Sequence, residues 1–425
     1  MSSQQQTYYS ASANSARRFP TLQTDLEADV CVVGGGIAGC SAALHLAQRG
    51  YRVVLLEAQC IGWGASGRNG GQVIAGYACG QQFLIDHVGM ELAKRMWDVS
   101  VEAVALLSHL VQQHAIDCDL QWGRLQVAIQ PRQREELLAE QEQLERGFEY
   151  RELQLLERKE LRDRLASERY VAGLLDRGSA HLHPLNYTLG LAAAAASAGV
   201  AIYENCAVAR VDRDAPATVH TAHGRIKARF VILCCNAYMN GLQPALRARI
   251  MPVATYMIAT AALGASRSQE LIRDNVAVSD TNFILDYFRR SADHRLLFGG
   301  RVSYSGISAV DSCKATRRHM LKVFPQLHDV AIEYAWGGLI DITMNRAPDF
   351  GRLAPHIYYL QGFSGHGLAL TTIAGKLVAE TISGHAQRFD VFSHLQHRNF
   401  PGGRLLRTPT LVLAMLWYRL RDLLG

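Results

Sequence analysis

The stretch Asp29–Glu57, DVCVVGGGIAGCSAALHLAQRGYRVVLLE, limits what this chain can fold into more than any other. Val30–Val33 is a short apolar run of strand type, followed by Gly34, Gly36 and Gly39 in G-x-G-x-x-G spacing. The first glycine permits a tight turn, the second lets backbone approach a pyrophosphate, and the third lets the next helix pack closely on the strand. Ile37–Gln48 has helical character, with Gly50 as its stop signal. Val53–Leu56 reads as a second buried strand, closed by Glu57 and Ala58. The unit is βαβ, and its phosphate site, which includes Ile37 and Ala38, lies at a helix N-terminus where free N–H groups attract an anion. Glu57 falls where a carboxylate accepts the hydroxyls of an adenosine ribose and repels a 2′-phosphate. A glycine fingerprint alone is weak; one between two apolar strands with a terminal acid is specific.

A chain of 425 residues suits two closely joined domains. Hydrophobic residues at 49% and charged ones at 19% fit a soluble globular enzyme. The net charge of +6 is spread out, with no basic block that would argue for nucleic acid. Nine cysteines lack zinc spacing or a regular framework, which suits a reducing cytosol, and Cys234–Cys235 reads as inert core. Met1–Tyr9 is polar and has no signal-peptide core, so a cytoplasmic location is expected. Residues 1–26 read as a tail, flexible by default, with a strap over a partner surface as the alternative.

Gly62–Gln72, GWGASGRNGGQ, is too glycine-rich for a regular element. It reads as a second wall of the cofactor site, to which Gly64, Ala65, Ser66, Gly70 and Gly71 bring a close-approaching backbone. Arg68 offers charge, and Asn69 and Gln72 offer polar contacts. With the fingerprint, this loop resembles the D-amino-acid oxidase superfamily of flavoproteins, which includes sarcosine and glycine oxidases. The wording is closer still to the bacterial gamma-glutamylputrescine oxidoreductases. The likeness runs nearly end to end, through TYYSASAN at Thr7–Asn14, HLHPLN at His181–Asn186, LDYFRRSADHRLLFGG at Leu285–Gly300, RAPDFGRL at Arg346–Leu353, YYLQGFSGHGL at Tyr358–Leu368 and FPGGRLLRTP at Phe400–Pro409.

The resemblance implies an α/β fold with a Rossmann-like FAD-binding domain and a discontinuous second α+β domain built on an antiparallel sheet. It implies a tail at 1–26, a cofactor domain at 27–88, 178–240 and 336–385, a substrate domain at 89–177 and 241–335, and an extension at 386–425. It implies FAD contacts at Val208 for the adenine edge, at Asn236 and Ala237, at Gly338, and in the loop Gly362–Leu368, which contains Ser364, Gly365, His366 and Gly367. That loop stands between the strand Ile357–Gln361 and the helix Ala369–Ile382. A helix N-terminus aimed at a flavin pyrimidine stabilises the negative charge gathered there on reduction. His366 either sits close to the ring or faces solvent. His181 and His183 alternate before Pro184; the resemblance sets them near the flavin face, as proton acceptor or substrate guide, and ordinary strand-end histidines are the open alternative. No metal site is expected. Tyr256, Tyr287 and Arg301 lie on strands that form the pocket floor in relatives.

The remaining pattern gives a helix over Gly89–Ile116, a strand over Asp119–Ile129, a charged helix with a solvated face over Pro131–Phe148 and a short helix over Leu156–Arg164. A strand is expected over Val200–Val211, a hairpin over Val219–Ala228, and a buried strand over Phe230–Cys235. Thr410–Leu424 is apolar but interrupted by Arg419 and Arg421, too short to span a bilayer. It packs on the body or touches a membrane surface. One departure matters. In the alpha-amino-acid oxidases an arginine just after the Trp-Gly-Gly-like strand clamps the substrate carboxylate; this chain has WGGLIDITMNR, with Leu339 and Ile340 near that place and Arg346 in the following turn. The expected function is therefore oxidation of an amine whose acidic group is remote: gamma-glutamylputrescine or a related polyamine, giving aldehyde, ammonia and hydrogen peroxide. Oxygen or another acceptor would take the electrons. Oxidation of an imino acid such as pipecolate or sarcosine, and a flavoprotein without turnover, are the alternatives. Gly64–Gln72 has neither His nor Cys, so non-covalent FAD is expected.

Overall fold

A computed structural model describes residues 6–239, 241–282, 285–303 and 309–401, except for the side chains of 301–303 and 309–312. The stretch Thr410–Leu424 and the side chain of Arg301 lie outside the described residues.

The strands divide between two sheets. The first contains β1 (Leu26–Val33) and β2 (Val53–Leu56), and the second begins with β3 (Gln72–Val73), β4 (Gln121–Ala128), β5 (Leu153–Glu157) and β6 (Ala172–His181). The chain returns to the first sheet with β7 (Ala201–Tyr203), β8 (Val208–Asp212), β9 (Ala217–Thr221) and β10 (Arg225–Leu233). It crosses again for β11 (Ile250–Thr260), β12 (Ala277–Asp280), β13 (Tyr287–Arg290), β14 (Leu296–Ser303) and β15 (Ile332–Thr343). It ends in the first sheet with β16 (Asp349–Ala354) and β17 (Ile357–Gln361).

The first sheet runs β16-β17-β10-β1-β2-β7, with β9 and β8 attached beside β10. Its centre is parallel: Val30 pairs with Val53 and with Phe230, and Val33 with Leu56 and Leu233. Both faces are covered, which is why Val30–Val33 and Val53–Leu56 are continuous apolar runs rather than alternating ones. The helices Ile37–Ala47, Pro184–Ser197 and Leu368–Ile382 pack together on one face. The second sheet runs β15-β11-β14-β13-β12-β4-β6-β3, antiparallel except where β4 meets β12. This is the α/β architecture expected, with a Rossmann-like sheet joined to a largely antiparallel one.

Three local readings change. Leu153–Glu157 is a strand paired with β6, and the helix starts only at Arg158, because Leu156 is buried in the core beneath the second sheet. Tertiary burial outweighs the helix propensity of that run. Val200–Val211 is two strands. Asn205 has φ +55°, and the N–H groups of Asn205 and Cys206 turn back to donate to the Gln59 and Glu57 carbonyls. The hairpin and the strand over Phe230–Cys235 share one long strand, β10, which stops before Cys234.

The N-terminus is not a flexible tail in its described part. Tyr8 and Tyr9 are buried within a short helix, and Tyr9 packs edge-on against Trp336, with ring centroids 5.3 Å apart. The Tyr8 hydroxyl donates to Asp293 at 2.7 Å, and Arg289 donates to the Tyr9 hydroxyl at 3.1 Å. The segment straps its own chain. Removing the Tyr9 ring leaves a cavity and an unsatisfied Arg289 donor. Tyr9→Ala is expected to lower unfolding free energy by about 3–5 kcal/mol in urea titration; a loss under about 1 kcal/mol would show that the strap carries no stability.

Candidate active site

The fingerprint loop is closed to side chains. At Gly34, φ is +114°, and a Cβ would stand 2.5 Å from the Cys234 carbonyl oxygen. A Cβ on Gly39 would stand 1.9 Å from the Gly34 oxygen, so the helix can approach the strand only with glycine there. Gly36 precedes the helix Ile37–Ala47, and the Ile37 N–H is met by the Ser66 hydroxyl at 3.0 Å. Glu57 accepts from the Gly35 N–H at 2.6 Å and the Gln59 N–H at 2.9 Å. Burial raises its pKa, against the pull of those N–H donors. Val208 follows the turn in which the Cys206 N–H meets the Glu57 carbonyl, so the two lie along one edge, with exposed Ala58 between Glu57 and Gln59. A backbone cradle at a helix N-terminus beside a half-buried carboxylate fits the pyrophosphate and ribose of a dinucleotide.

Beside the cradle lies a cavity of about 1050 Å³. Its walls come from the loop with Ala65, Ser66, Arg68, Asn69, Gly70 and Gln72, from Asn236, from Gly338–Thr343, and from Ser364, Gly365, His366, Gly367 and Leu368. The fingerprint helix adds Ile37. Gly34, Gly36, Ala38, Gly39, Gly64, Gly71, Ala237 and Gly362 do not line the cavity.

Side chains fix the loops. Arg68 donates to the Trp63 carbonyl at 2.8 Å and the Gly337 carbonyl at 3.1 Å, and the Trp336 indole N–H donates to the Arg68 carbonyl at 3.0 Å. Asn69 bonds Ala65 and Ser66 and receives the Gly71 N–H at 2.8 Å. Gln72 donates to the Val278 carbonyl at 3.0 Å. Asp341 is the residue the sequence reading missed here. Its buried carboxylate accepts from the Gly362 N–H and, at 3.0 Å, from the Asn236 amide; burial lifts its pKa to about 6. Ser364 holds φ +53°, and its N–H donates to the Asp341 carbonyl at 3.0 Å.

His366 lines the cavity, with Nε2 3.2 Å from the Ala75 carbonyl. Burial first, then the charge of Arg124, lowers its pKa to about 4, so the ring is neutral near pH 7. Nε2 therefore donates, and Nδ1 is left as the acceptor. Tyr287 also lines the cavity, packed over Gly70 and Gly299.

His181 and His183 are structural, which corrects their candidacy as proton acceptor and substrate guide. They are 1% and 2% exposed and do not line the cavity. His181 Nε2 donates to the Asn275 carbonyl at 2.6 Å. His183 caps the helix Pro184–Ser197 through Nδ1, its Nε2 meets the Ser12 hydroxyl at 3.1 Å, and its ring packs under Tyr8 and Tyr9. Tyr256 is also off the cavity: Met251, Val253 and Thr255 face it, and the two-residue alternation of β11 turns Tyr256 to the other side, against Gly337.

One face of the second sheet supplies the rest of the wall. Arg124 and Gln126 of β4, Leu174 and Asp176 of β6, and Ser279 of β12 alternate into the cavity. Glu140, Gln143 and Leu144 of the helix Pro131–Phe148 also reach it, so that helix has a cavity side as well as a solvated one. The signal for Arg124 was a charged residue in an otherwise alternating strand.

This is the arrangement of a dinucleotide-dependent oxidoreductase, with a cofactor cradle opening into a substrate cavity. The chain belongs to the family of DAO, FAD dependent oxidoreductases, whose model matches residues 29–381, and it is an FAD-dependent amine oxidoreductase. It is 43% identical over 420 residues to the gamma-glutamylputrescine oxidoreductase of Escherichia coli K12, covering 99% of this chain and 98% of that one. Its fold is shared with the glycine oxidase of Geobacillus kaustophilus at TM-score 0.71 and 21% identity, covering 84% of this chain and 95% of that one. The L-proline dehydrogenase of P. horikoshii superposes at TM-score 0.70 and 21% identity, covering 84% and 94%.

Two outcomes follow from this geometry. Gly39→Ala should weaken FAD retention about 10- to 100-fold, because overpacking of about 1–3 kcal/mol falls on the cradle; the flavin-to-protein absorbance ratio after dialysis reads it, and undiminished flavin would contradict the cradle. Burial pushes His181 and His183 down to about 3, below the ordinary 6.5. The unfolded chain takes up those protons first, so stability falls as pH drops below 6.5, by about 2 kcal/mol per histidine at pH 5. Urea midpoints at pH 7 and pH 5 measure the loss, and His183→Asn, which keeps a capping acceptor, should make it smaller.

Proposed function

We propose that this chain oxidises the primary amine end of gamma-glutamylputrescine, or a closely related glutamylated polyamine, to the aldehyde with release of ammonia. One observation carries the reading. Leu339 and Ile340 line the cavity directly after Trp336-Gly337-Gly338, so the wall is apolar where an α-amino-acid oxidase would need its arginine. A substrate with a carboxylate beside the reacting carbon has no partner there, whereas an alkyl amine meets Leu339, Ile340, Met251 and Val253. The extensive identity to a gamma-glutamylputrescine oxidoreductase supports the same substrate class.

FAD held in the cradle supplies the two-electron acceptor for the carbon bearing the amine. The chain's residues orient that carbon and keep water away. The apolar wall favours the amine in its neutral form, since a bare ammonium is costly to desolvate there. Neutral His366 adds no charge to repel it. The N-terminus of the helix Leu368–Ile382 opens on the cavity and stabilises negative charge at that end. Loss of hydride and a proton leaves an imine that water hydrolyses to aldehyde and ammonia. Oxygen, giving hydrogen peroxide, or another acceptor takes the two electrons.

We read the FAD as non-covalent. The loop Gly64–Gln72 offers no His or Cys, and burial pushes the nearby Cys79 thiol up to about 12, so it is no nucleophile near pH 7. Acid precipitation is expected to leave the yellow colour in the supernatant.

Anaerobic mixing of the yellow protein with gamma-glutamylputrescine, putrescine, pipecolate and sarcosine tests the substrate. The glutamylated amine should bleach the flavin fastest, and bleaching by pipecolate alone would overturn the assignment while leaving the cofactor in place. Bleaching at low amine concentration should rise about tenfold per pH unit from pH 7 to 9, as the neutral amine grows below an amine pKa near 10. A flat profile would count against entry of a neutral amine.

A further inference from the structure

We propose that Arg124 and Glu140 form the site that reads the amino-acid head of the glutamyl group, Arg124 taking its carboxylate and Glu140 its ammonium. The assignment rests on the glutamylated-amine reading above and names the residues that carry its specificity.

Both side chains line the same cavity as the flavin-facing loops. Arg124 projects from β4 and Glu140 from the helix Pro131–Phe148. In the order of the second sheet four strands stand between β4 and β15, the strand with the apolar Leu339 and Ile340.

Arg124 is underused by the protein. Its Nη2 donates to the Ser279 hydroxyl at 3.0 Å, its buried Nε has no partner, and among the described residues no carboxylate lies within ion-pair distance of it. Asp176, its register partner on β6, would be the obvious counter-ion. That carboxylate is already taken by the Tyr150 hydroxyl at 2.6 Å, the Gly178 N–H at 3.0 Å and the Ser179 hydroxyl. Glu140 likewise makes no ion pair among the described residues, although the helix around it is laced with exposed Arg–Glu pairs.

A half-buried cation and a half-buried anion beyond ion-pair distance of a partner are costly unless something pairs with each. A ligand carrying both charges on one carbon does so, with charge-assisted hydrogen bonds at either side. A simple carboxylate would leave Glu140 unmet, and a simple diamine would leave Arg124 unmet. The other arginines on the wall are already engaged: Arg68 holds two backbone carbonyls, and Arg346 interacts with its surroundings.

The test compares gamma-glutamylputrescine with two truncated amines, N-glutarylputrescine, which lacks the α-ammonium, and N-(4-aminobutanoyl)putrescine, which lacks the carboxylate. Anaerobic bleaching gives a half-saturating concentration and a limiting rate for each. Arg124→Gln should raise the half-saturating concentration for gamma-glutamylputrescine about 10- to 100-fold, with much less change in limiting rate, and should leave the amine without carboxylate nearly unaffected. Glu140→Gln should do the same with respect to the amine without ammonium. Arg124→Lys, which keeps the charge, should restore part of the discrimination, and it carries the test if Arg124→Gln loses its flavin. Equal shifts for all three amines, or none, overturn the assignment while the substrate reading stands. A wild-type flavin left unbleached by gamma-glutamylputrescine overturns both.

Discussion

The carboxylate of Asp341 joins the two halves of this molecule. It projects from β15, in the second sheet, and accepts hydrogen bonds from Gly362 and Asn236, which follow β17 and β10 of the first. An ion in that position would be expensive without donors; the hydrogen bonds it accepts offset the penalty in part, and burial still lifts its pKa to about 6. Arg68 and Trp336 make a second tie a few residues away, between the loop after β2 and the same strand. Three loops around the cavity, those of Arg68, Asn236 and Gly362, are thus fastened to β15. The cavity walls keep their spacing because hydrogen bonds of fixed length set it, and not through hydrophobic packing alone.

The cofactor half was legible because its information is local. Glycines at fixed offsets, strand-length apolar runs and a terminal acid all fall within Asp29–Glu57, and the βαβ unit forms as they dictate. Pro131–Phe148 and Ile357–Gln361 were similarly self-contained, one through proline at its first turn and the other through a short apolar run before glycine. What failed depends on distant partners. Nothing within Leu153–Glu157 says that β6 will pair with it, and nothing in Tyr8–Tyr9 says that Trp336, 327 or more residues on, will cover those rings.

The substrate half shows the same limit in its side chains. Alternation told which residues of a strand share a face but not which face meets the cavity, so Tyr256 and His181 were assigned to the site from type and family likeness alone. Arg124 carried the opposite signal. A charged residue in an alternating strand is either solvent-facing or aimed at something specific, and only the packing of Pro131–Phe148 over that face distinguishes the two. Asp341 stood in plain view within WGGLIDIT, but its role arises from Gly362 and Asn236, which sequence places far from it.

The cavity also shifts the titratable groups on its walls. Burial lowers His366 to about 4, which leaves it neutral near pH 7, and raises Asp341 only to about 6, so it stays largely ionised there; burial first, then the charge of Asp286, lifts Asp280 to about 8. Arg124 and Glu140 line the same cavity, and Arg124 is near enough to His366 for its charge to help lower that ring. In the proposed reaction, contacts to a remote amino-acid head would be the same before and during oxidation, and would set affinity and selectivity. Acceleration has to come from the other end, where the apolar wall and the helix N-terminus at Leu368 act on charge that changes as the carbon is oxidised.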